Sequence, residues 1–270
     1  MTRDPNVVFE GTIPENYDRY LGPVIFEPYA RDIANRLDRN LRAVLEIACG
    51  TGILTRHLRN RLDSRARLVA TDLNPGMLAF ARRKFEGNRN IEWQEADASA
   101  LPFRDGEFDA VICQFGLMFV PDKQAAMREA YRVLRPGGVF VFNVWDAMEH
   151  NLFASVAHRT ISSFFKTDPP TFYRIPFSFY DEGLIRELLQ TAGFSKIEAQ
   201  PLSFPCEHAS AAEFAIGLVR GNPVATAIQE RGAEIEDVIE AVGRELAAKN
   251  SEDAPFKNTM RAVVWSAVRK

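Results

Sequence analysis

The sequence contains few cysteines, and their spacing matches no cysteine-based site. Cys49, Cys113 and Cys206 are the only three in 270 residues, and they form neither a CxxC pair nor a zinc-ligand spacing. An odd number of widely spaced cysteines argues against a disulfide framework and favours a reducing compartment. We therefore expect a cytoplasmic protein that holds no metal.

Long apolar runs and clusters of one charge are also missing. No run reaches the roughly 20 residues of a membrane-spanning helix, and the N-terminus lacks the apolar stretch of a signal peptide. The 33 basic and 36 acidic residues give a net charge of −3 without a basic run. Nucleic acid is therefore not expected as the main partner. The length allows one large α/β domain or two small ones.

The chain is organised around a glycine-containing turn between residues 44 and 52. An apolar run ends in Glu46, and a short loop containing Gly50 and Gly52 follows. Leu54 and Leu58 then repeat at helical spacing, so the segment predicts a buried strand, a tight turn and a helix. Such a turn lets the backbone approach a ligand closely and directs the first N–H groups of the helix towards it.

Strand and helix patterns alternate five times after residue 43, which indicates an α/β fold with a doubly wound, mainly parallel sheet. Two later strands raise the expected number to seven. The predicted strands cover residues 44–46, 68–72, 91–93, 108–113, 139–144, 194–202 and 261–268. A helix with Leu134 on its inner face is expected to end at a turn formed by residues 135–138.

We expect a single domain over residues 1–270, with helical additions around the sheet. Helices within about residues 12–38 would form an N-terminal lid, interrupted at Gly22-Pro23. Helical insertions are expected at about 149–179 and 205–256. Tyr17 and Tyr20 share one face of the first lid helix, and they could either pack on the domain edge or reach over the ligand turn.

Three acids follow three of the predicted strands, at Glu46, Asp72 and Asp97. Ligands of doubly wound sheets bind at the carboxyl ends of the strands, and an acid about 20 residues beyond a glycine turn is placed to bind a ribose. Asp72 has that spacing from Gly52, and Asp97 lies where an adenine would extend. The pattern predicts an adenosine-containing ligand. Each acid taken alone could instead be solvated or cap a helix, as Asp72 could near Asn74.

The residues of the turn also indicate which class of adenosine ligand is expected. The dinucleotide pattern GxGxxG needs a third glycine that is absent, and no GxxxxGK[ST] phosphate loop occurs. Glu46 would repel a diphosphate but would attract a cationic amino-acid tail. The charges therefore favour a ligand with ammonium and sulfonium groups over a nicotinamide dinucleotide.

Five segments together resemble class I S-adenosylmethionine-dependent methyltransferases, and most closely their type 11 group, which is related to the ubiquinone/menaquinone biosynthesis methyltransferases. The segments are 45–52 (LEIACGTG), 71–78 (TDLNPGML), 95–103 (EADA followed by LPF), 108–114 (FDAVICQ) and 134–138 (LRPGG). The resemblance covers residues 43–144 well and the remainder only in outline. Ala48 replaces a glycine that many members have, but its side chain is small and the turn should survive.

The resemblance implies a Rossmann-like methyltransferase fold, S-adenosylmethionine as cofactor and S-adenosylhomocysteine as product. Glu46 and the turn backbone would hold the methionine part, Asp72 the ribose and Asp97 the adenine, while Gln114 and Phe115 would lie near the sulfonium. The implied cofactor-binding residues are Tyr17, Tyr20, Glu46, Ala48, Cys49, Gly50, Thr51, Gly52, Asp72, Leu73, Met77, Asp97, Ala98, Gln114 and Phe115.

The methyl acceptor is less well defined by the sequence. Methyl transfer mainly requires alignment, and a base is needed only if the acceptor loses a proton. His150, His158 and Tyr173 are the candidates for a catalytic role, with surface or capping roles as the competing interpretation for the two histidines. An aromatic-rich set predicts a small, apolar or aromatic acceptor if several members line a cavity: Phe115, Met118, Phe119, Trp145, Phe153, Phe172, Tyr173, Phe177 and Tyr180.

Two alternatives to an active methyltransferase remain open at this point. One is a methyltransferase-like fold that binds the cofactor as a regulatory module without catalysis. The other is a dinucleotide-dependent oxidoreductase, which the missing third glycine disfavours. The oligomeric state does not follow from the sequence.

Overall fold

In the computed structural model, residues 8–87, 90–249 and 256–270 are described. A seven-stranded sheet runs through the molecule in the order β3-β2-β1-β4-β5-β7-β6. The strands are β1 (Ala43–Glu46), β2 (Arg67–Asp72), β3 (Glu92–Glu95), β4 (Phe108–Gln114), β5 (Leu134–Trp145), β6 (Phe194–His208) and β7 (Phe256–Arg269). The predicted seven-stranded, doubly wound α/β sheet is confirmed.

Strands β1 to β5 pair in parallel, and only β7 runs antiparallel to its neighbours β5 and β6. Strand β1 pairs with β2 on one side and with β4 on the other, so the strand order reverses beside β1. Ligands of open α/β sheets bind at the carboxyl ends of the strands at such a reversal. The glycine turn after β1 occupies that position.

Helices cover both faces of the sheet, and their apolar sides join one buried cluster with the strands. The α-helices are α1 (Ile13–Asn16), α2 (Glu27–Asn35), α3 (Ile53–Arg61), α4 (Pro75–Lys84), α5 (Lys123–Val133), α6 (Leu152–Ser163), α7 (Glu182–Ala192), α8 (Ala211–Arg220), α9 (Val224–Glu230) and α10 (Ile235–Ala247). Helices α8 to α10 lie in the predicted insertion between β6 and β7, whose residues 250–255 are outside the described part.

The prediction that Gly22-Pro23 breaks the lid is wrong. A π-helix, Tyr17–Phe26, runs through both residues and joins α1 directly to α2. Proline lacks a backbone donor and its ring clashes with a carbonyl in an α-helix. The wider π-turn accommodates the ring, and the backbone N–H of Glu27 donates to the carbonyl of Gly22, five residues earlier.

The expected position of Leu134 is also wrong. Leu134 begins β5 and pairs with Phe108, rather than ending α5. Residues 135–138 form an irregularity within the strand, after which Val139 pairs with Ala110. An unequal number of residues on the two strands is how a bulge bends a sheet, so the glycine pair continues the strand instead of preceding it. Among the described residues, no helix is long and apolar enough to cross a membrane.

Candidate active site

The turn after β1 is held by its backbone conformation and by its neighbours. Ala48, Gly50 and Gly52 all have positive φ, at 53°, 55° and 81°. The N–H of Cys49 donates to the carbonyl of Thr71 at 2.9 Å, which fixes the turn against β2. A Cβ on Gly52 would lie 2.8 Å from the Phe85 ring, so the position has no room for a side chain.

The predicted survival of the turn with alanine at position 48 agrees with the structure. Ala48 adopts the left-handed conformation that glycine would favour, at a cost of about 1 kcal/mol. Its methyl group occupies space beside Gly116, where any Cβ would lie 2.4 Å from Ala48 Cβ. The departure from the family pattern at position 48 is therefore matched by a glycine at the end of β4.

Asp72 is the acid at the end of β2, and both of its carboxylate oxygens face backbone donors. Oδ2 accepts from Gly50 N at 2.8 Å, and Oδ1 accepts from Asn74 N at 2.7 Å. Burial raises the pKa of this carboxyl, and the two backbone donors offset part of that rise. Asp72 does contact the start of the helix at Asn74, as the alternative helix-capping interpretation expected. It contacts the glycine turn at the same time.

Glu46 is the acid at the end of β1, and it is almost completely buried, with 1% of its surface exposed. Burial raises its pKa to about 8, and the negative charge of Asp72 adds to the rise. The nearby hydroxyl of Thr55 offsets part of the effect, although within the described residues neither Thr55 Oγ1 nor Glu46 Oε2 reaches hydrogen-bond geometry. An unpartnered carboxylate oxygen in such a place favours a cationic or donor ligand.

A small cavity of about 30 Å³ adjoins Glu46 at the switch in strand order. Its walls come from the lid, the glycine turn, helix α3 and the end of β4. The lining residues are Tyr17, Phe26, Glu46, Ala48, Cys49, Gly50, Thr51, Ile53, Leu54 and Gln114. Six of the predicted cofactor-binding residues of the turn and strand ends therefore share one cavity with Tyr17 of the lid.

The lid presents an aromatic wall to this cavity. The rings of Tyr17 and Phe26 stack with their centroids 4.5 Å apart, and Gln114 Nε2 donates to the carbonyl of Phe26 at 2.8 Å. Burial, together with the negative charges of Asp72 and Asp18, raises the pKa of Tyr17. Tyr17 therefore stays neutral and lies within electrostatic reach of the acid at the end of β2.

The two lid tyrosines have different surroundings. Tyr20 lies against α8, where a Cβ on Gly217 would be 2.6 Å from Tyr20 Cβ. It does not line the cavity described above. Of the two interpretations that the sequence left open, packing on the domain edge describes Tyr20 and proximity to the turn describes Tyr17.

The predicted adenine-side residues lie at the ends of β2 and β3. Leu73 is one of the few large apolar residues on the surface, at 39% exposed, whereas Met77 is buried. Asp97 is exposed and accepts from the backbone and hydroxyl of Ser99 at 2.8 and 2.6 Å, and Ala98 beside it is partly buried. These residues are separate from the cavity next to Glu46.

Phe115 follows β4 in a strained conformation, with φ at 52°. Its backbone N–H donates to Asn143 Oδ1 at 3.1 Å, and its ring stacks on Trp145 at 4.0 Å. The ring is buried in the core instead of lining the cavity. Backbone strain of this kind persists where the surroundings over-determine it, as they do at functional sites.

The three candidates for a catalytic role are not brought together. His150 Nδ1 lies 3.0 Å from Asp146 Oδ2 at the surface. Burial and the charge of Arg174 lower the pKa of half-buried His158. The hydroxyl of Tyr173 donates to the carbonyl of Leu218 at 2.7 Å, and burial raises its pKa. None of these side chains lines the cavity beside Glu46.

Several residues near the site are not indicated by any sequence pattern. They are Phe9, Phe26, Thr55 and Lys84. The ring centroids of Phe9 and Tyr17 lie 6.2 Å apart, and Lys84 Nζ donates to the carbonyl oxygen of Thr51 at 3.1 Å. These contacts join segments distant in the chain, so no local pattern could have indicated them.

Residues 45–142 match the profile of a family described as a methyltransferase domain, of type 11. The ubiquinone/menaquinone biosynthesis C-methyltransferase UbiE of Enterobacter sp. is 42% identical over 103 residues, which are 37% of this chain and 41% of that protein. The demethylmenaquinone methyltransferase of Thermus thermophilus is 45% identical over 106 residues, 39% of this chain and 48% of that protein.

The alignments cover less than half the length of these curated relatives. Solved structures share the fold over most of the chain. The YcgJ protein from Bacillus subtilis has a TM-score of 0.60 at 16% identity, covering 90% of this chain and 99% of that one. Haemonchus contortus phosphoethanolamine N-methyltransferase 2, in complex with S-adenosyl-L-methionine, has a TM-score of 0.60 at 16% identity, covering 95% and 56%.

Proposed function

We propose that the protein is an S-adenosylmethionine-dependent methyltransferase that transfers a methyl group to a small, apolar or aromatic molecule. The observation that carries the proposal is the buried carboxylate of Glu46, whose Oε2 has no hydrogen-bond partner among the described residues and which lines a cavity walled by Tyr17 and Phe26. An ammonium group would satisfy that oxygen, and aromatic faces attract a sulfonium.

The chain offers complementary groups to each part of such a cofactor. Glu46 would bind the amino group of the methionine part, beside the backbone of the glycine turn. Asp72 would accept hydrogen bonds from the ribose hydroxyls, because each of its oxygens uses only one acceptor position for the backbone. Asp97 and Leu73 would contact the adenine at the neighbouring strand ends.

The bound cofactor supplies a methyl group on an electrophilic sulfonium. The protein then has to hold the acceptor in line with the methyl group and exclude water. The rings of Tyr17 and Phe26 and the amide of Gln114 form the wall that would exclude it. An acceptor that reacts as an electron-rich carbon or a neutral amine can lose its proton to solvent after transfer, so a buried triad is not required.

None of the nine residues in the predicted aromatic set lines the cavity beside Glu46, so the proposal of an apolar or aromatic acceptor rests on rings that pack together next to the lid. The rings of Phe9, Phe119 and Phe172 contact one another with centroids 5.9 to 6.4 Å apart, and Phe9 also contacts Tyr17. They come from the N-terminal segment, the loop after β4 and the predicted insertion after β5. The names of the relatives include carbon methylation, but the alignments cover less than half of each relative, so the acceptor class proposed here rests on these rings.

We also propose a cytoplasmic location. Its support is that Cys49, Cys113 and Cys206 are all free and buried. Free thiols are usual in a reducing compartment.

Calorimetric titration with S-adenosylmethionine and S-adenosylhomocysteine tests the proposal. We expect both to bind, and Glu46→Gln to bind each about 10-fold or more weakly, because the amide cannot neutralise an ammonium. Absence of heat with either ligand would contradict the proposal, and binding of NAD instead would support the oxidoreductase alternative. Cofactor binding without methyl transfer to a panel of phenols, quinols and amines would favour the regulatory module.

A further inference from the structure

Lys84 connects the lid to the glycine turn through two contacts. Its Nζ lies 2.5 Å from Asp18 Oδ1 and 3.1 Å from the carbonyl oxygen of Thr51. Lys84 is the last residue of α4, Asp18 lies in the π-helix of the lid, and Thr51 lies in the turn after β1. One ammonium group therefore joins three segments that are distant in the sequence.

One partner of Lys84 lines the cavity, and the other is adjacent in the chain to a residue that does. Thr51 lines it directly, and Asp18 follows Tyr17, whose ring forms part of its wall. A contact to Thr51 and Asp18 together holds the start of the π-helix against the turn. A lysine at an unrelated surface position would make neither contact.

The cavity is too small for the methionine part of the cofactor while the lid is in this position. Its volume of about 30 Å³ corresponds to roughly one water molecule. Small-molecule sites have volumes of roughly 300 Å³ or more. The proposed function therefore requires the lid to move when the cofactor enters or leaves.

The other end of the π-helix is held more firmly. Gln114 Nε2 donates to the carbonyl of Phe26, and Glu27 accepts from Arg56 at 2.6 Å and contacts His57 at 2.8 Å. These contacts fix the junction with α2 to β4 and α3. At the Tyr17 end, Lys84 adds an ion pair to the ring contacts of Tyr17 with Phe9 and Phe26, and a π-helix is a common site of functional bending.

We infer that Lys84 is a positioning residue that fastens the Tyr17 end of the lid to the glycine turn and so retains the bound cofactor. The inference rests on the proposed function. Opening separates Lys84 from Asp18, whereas closure restores one ion pair and a charge-assisted hydrogen bond. The Lys84 side chain is 32% exposed, so salt should weaken the contact.

The test is the rate at which S-adenosylhomocysteine dissociates, followed by tryptophan fluorescence after the complex is mixed with excess S-adenosylmethionine. We expect Lys84→Met to release S-adenosylhomocysteine about 3- to 10-fold faster than the wild type does. Its KM for S-adenosylmethionine should be higher, and its kcat should change less. Lys84→Arg should restore most of the wild-type rate, because it keeps the charge. Asp18→Asn should act in the same direction, and the double variant should be no faster than Lys84→Met.

Arg82→Met is the matched control, since Arg82 lies in the same last turn of α4 and is exposed. It should dissociate at the wild-type rate. High salt should accelerate dissociation from the wild type but not from Lys84→Met. If Lys84→Met has the wild-type unfolding midpoint and releases S-adenosylhomocysteine at the wild-type rate, the positioning role of Lys84 is overturned while the proposed function is not. A wild-type protein that binds neither ligand overturns the proposed function itself.

Discussion

The backbone N–H of Gly50 donates to Oδ2 of Asp72 at 2.8 Å, across the gap between the turn after β1 and the end of β2. The same carboxylate accepts from the N–H of Asn74, at the start of α4. Asp72 thus sets the position of the turn that lies beside Glu46. The residue proposed to bind the ribose is therefore also the one that fixes the turn proposed to bind the methionine part.

Replacing Asp72 should reduce both stability and cofactor affinity. In Asp72→Ala the N–H groups of Gly50 and Asn74 lose their acceptor, and we expect the free energy of unfolding to fall by about 1–3 kcal/mol. Asp72→Asn can keep only one of the two contacts, so its loss should be smaller. Denaturant unfolding measures stability, and calorimetry with S-adenosylhomocysteine should show at least about a 10-fold weaker affinity for both variants.

The control for this comparison is Asp32→Asn. Asp32 forms an i,i+4 ion pair with Arg36 on α2, at the surface and away from the cavity. Its replacement should change the free energy of unfolding by about 0.5 kcal/mol or less and leave affinity unchanged. Wild-type affinity in a folded Asp72→Ala protein would contradict the proposed role of Asp72.

The sheet and the acids at its strand ends could be predicted because they depend on local patterns. Apolar runs that end in Glu46 and Asp72 define buried parallel strands, and the glycine turn defines the helix that follows. In a doubly wound sheet these strand ends share one edge. Composition and spacing in residues 43–144 therefore predict the fold correctly, and the site at these strand ends stays a prediction.

The lid could not be predicted in the same way, because its conformation depends on non-local contacts. Gly22-Pro23 is a helix-breaking signal in isolation, yet Gly22 fits against Ile53, and the chain widens into a π-helix instead of ending. The contact between Lys84 and Asp18 joins residues 66 positions apart. Nothing in the local sequence of either residue indicates such a pair.

The stability of the cofactor-free protein should fall as pH rises towards 8. The pKa of Glu46 is raised in the folded state from 4.5 to about 8, so the folded protein binds more protons than the unfolded chain between these values. The raised pKa of Asp72 acts in the same direction. Glu46→Gln removes the contribution of Glu46. As the pH rises from 4.5 to 8, the free energy of unfolding of the variant should therefore increase by about 2–4 kcal/mol relative to that of the wild type.

Denaturant unfolding at pH 5, 6, 7 and 8 measures this difference, with Glu240→Gln as the control because the Glu240 side chain is exposed on α10. Cofactor affinity should change in the opposite direction. An ammonium favours the ionised form of Glu46, so wild-type affinity for S-adenosylhomocysteine should rise up to about pH 8 and that of Glu46→Gln should not. Parallel stability curves for the wild type and Glu46→Gln would contradict a protonated Glu46.

Ala48 and Gly116 should show a strong energetic coupling. A Cβ at position 116 would lie 2.4 Å from Ala48 Cβ and 2.8 Å from Cys113 Sγ, so Gly116→Ala should lower the free energy of unfolding by about 1–3 kcal/mol or more. Ala48→Gly relieves a positive φ and should be neutral or stabilising by up to about 1 kcal/mol. The double variant Ala48→Gly/Gly116→Ala should recover part of the loss, because the closest clash is absent. Strict additivity in denaturant unfolding would contradict the packing described for this pair.

Tyr17 should discriminate between the charged cofactor and its neutral product. An aromatic ring near a sulfonium attracts the positive charge by about 0.5–2 kcal/mol, whereas the thioether of S-adenosylhomocysteine has no such charge. Tyr17→Ala should therefore weaken the binding of S-adenosylmethionine about 2- to 30-fold more than the binding of S-adenosylhomocysteine. Tyr17→Phe should keep the wild-type ratio of the two dissociation constants. Tyr20→Ala is the control, because Tyr20 lies against Gly217 and outside the cavity. An equal loss of affinity for both ligands in Tyr17→Ala would mean that the ring acts only as a steric wall. A changed ratio of the two dissociation constants in Tyr20→Ala would assign the interaction with the sulfonium charge to Tyr20 instead.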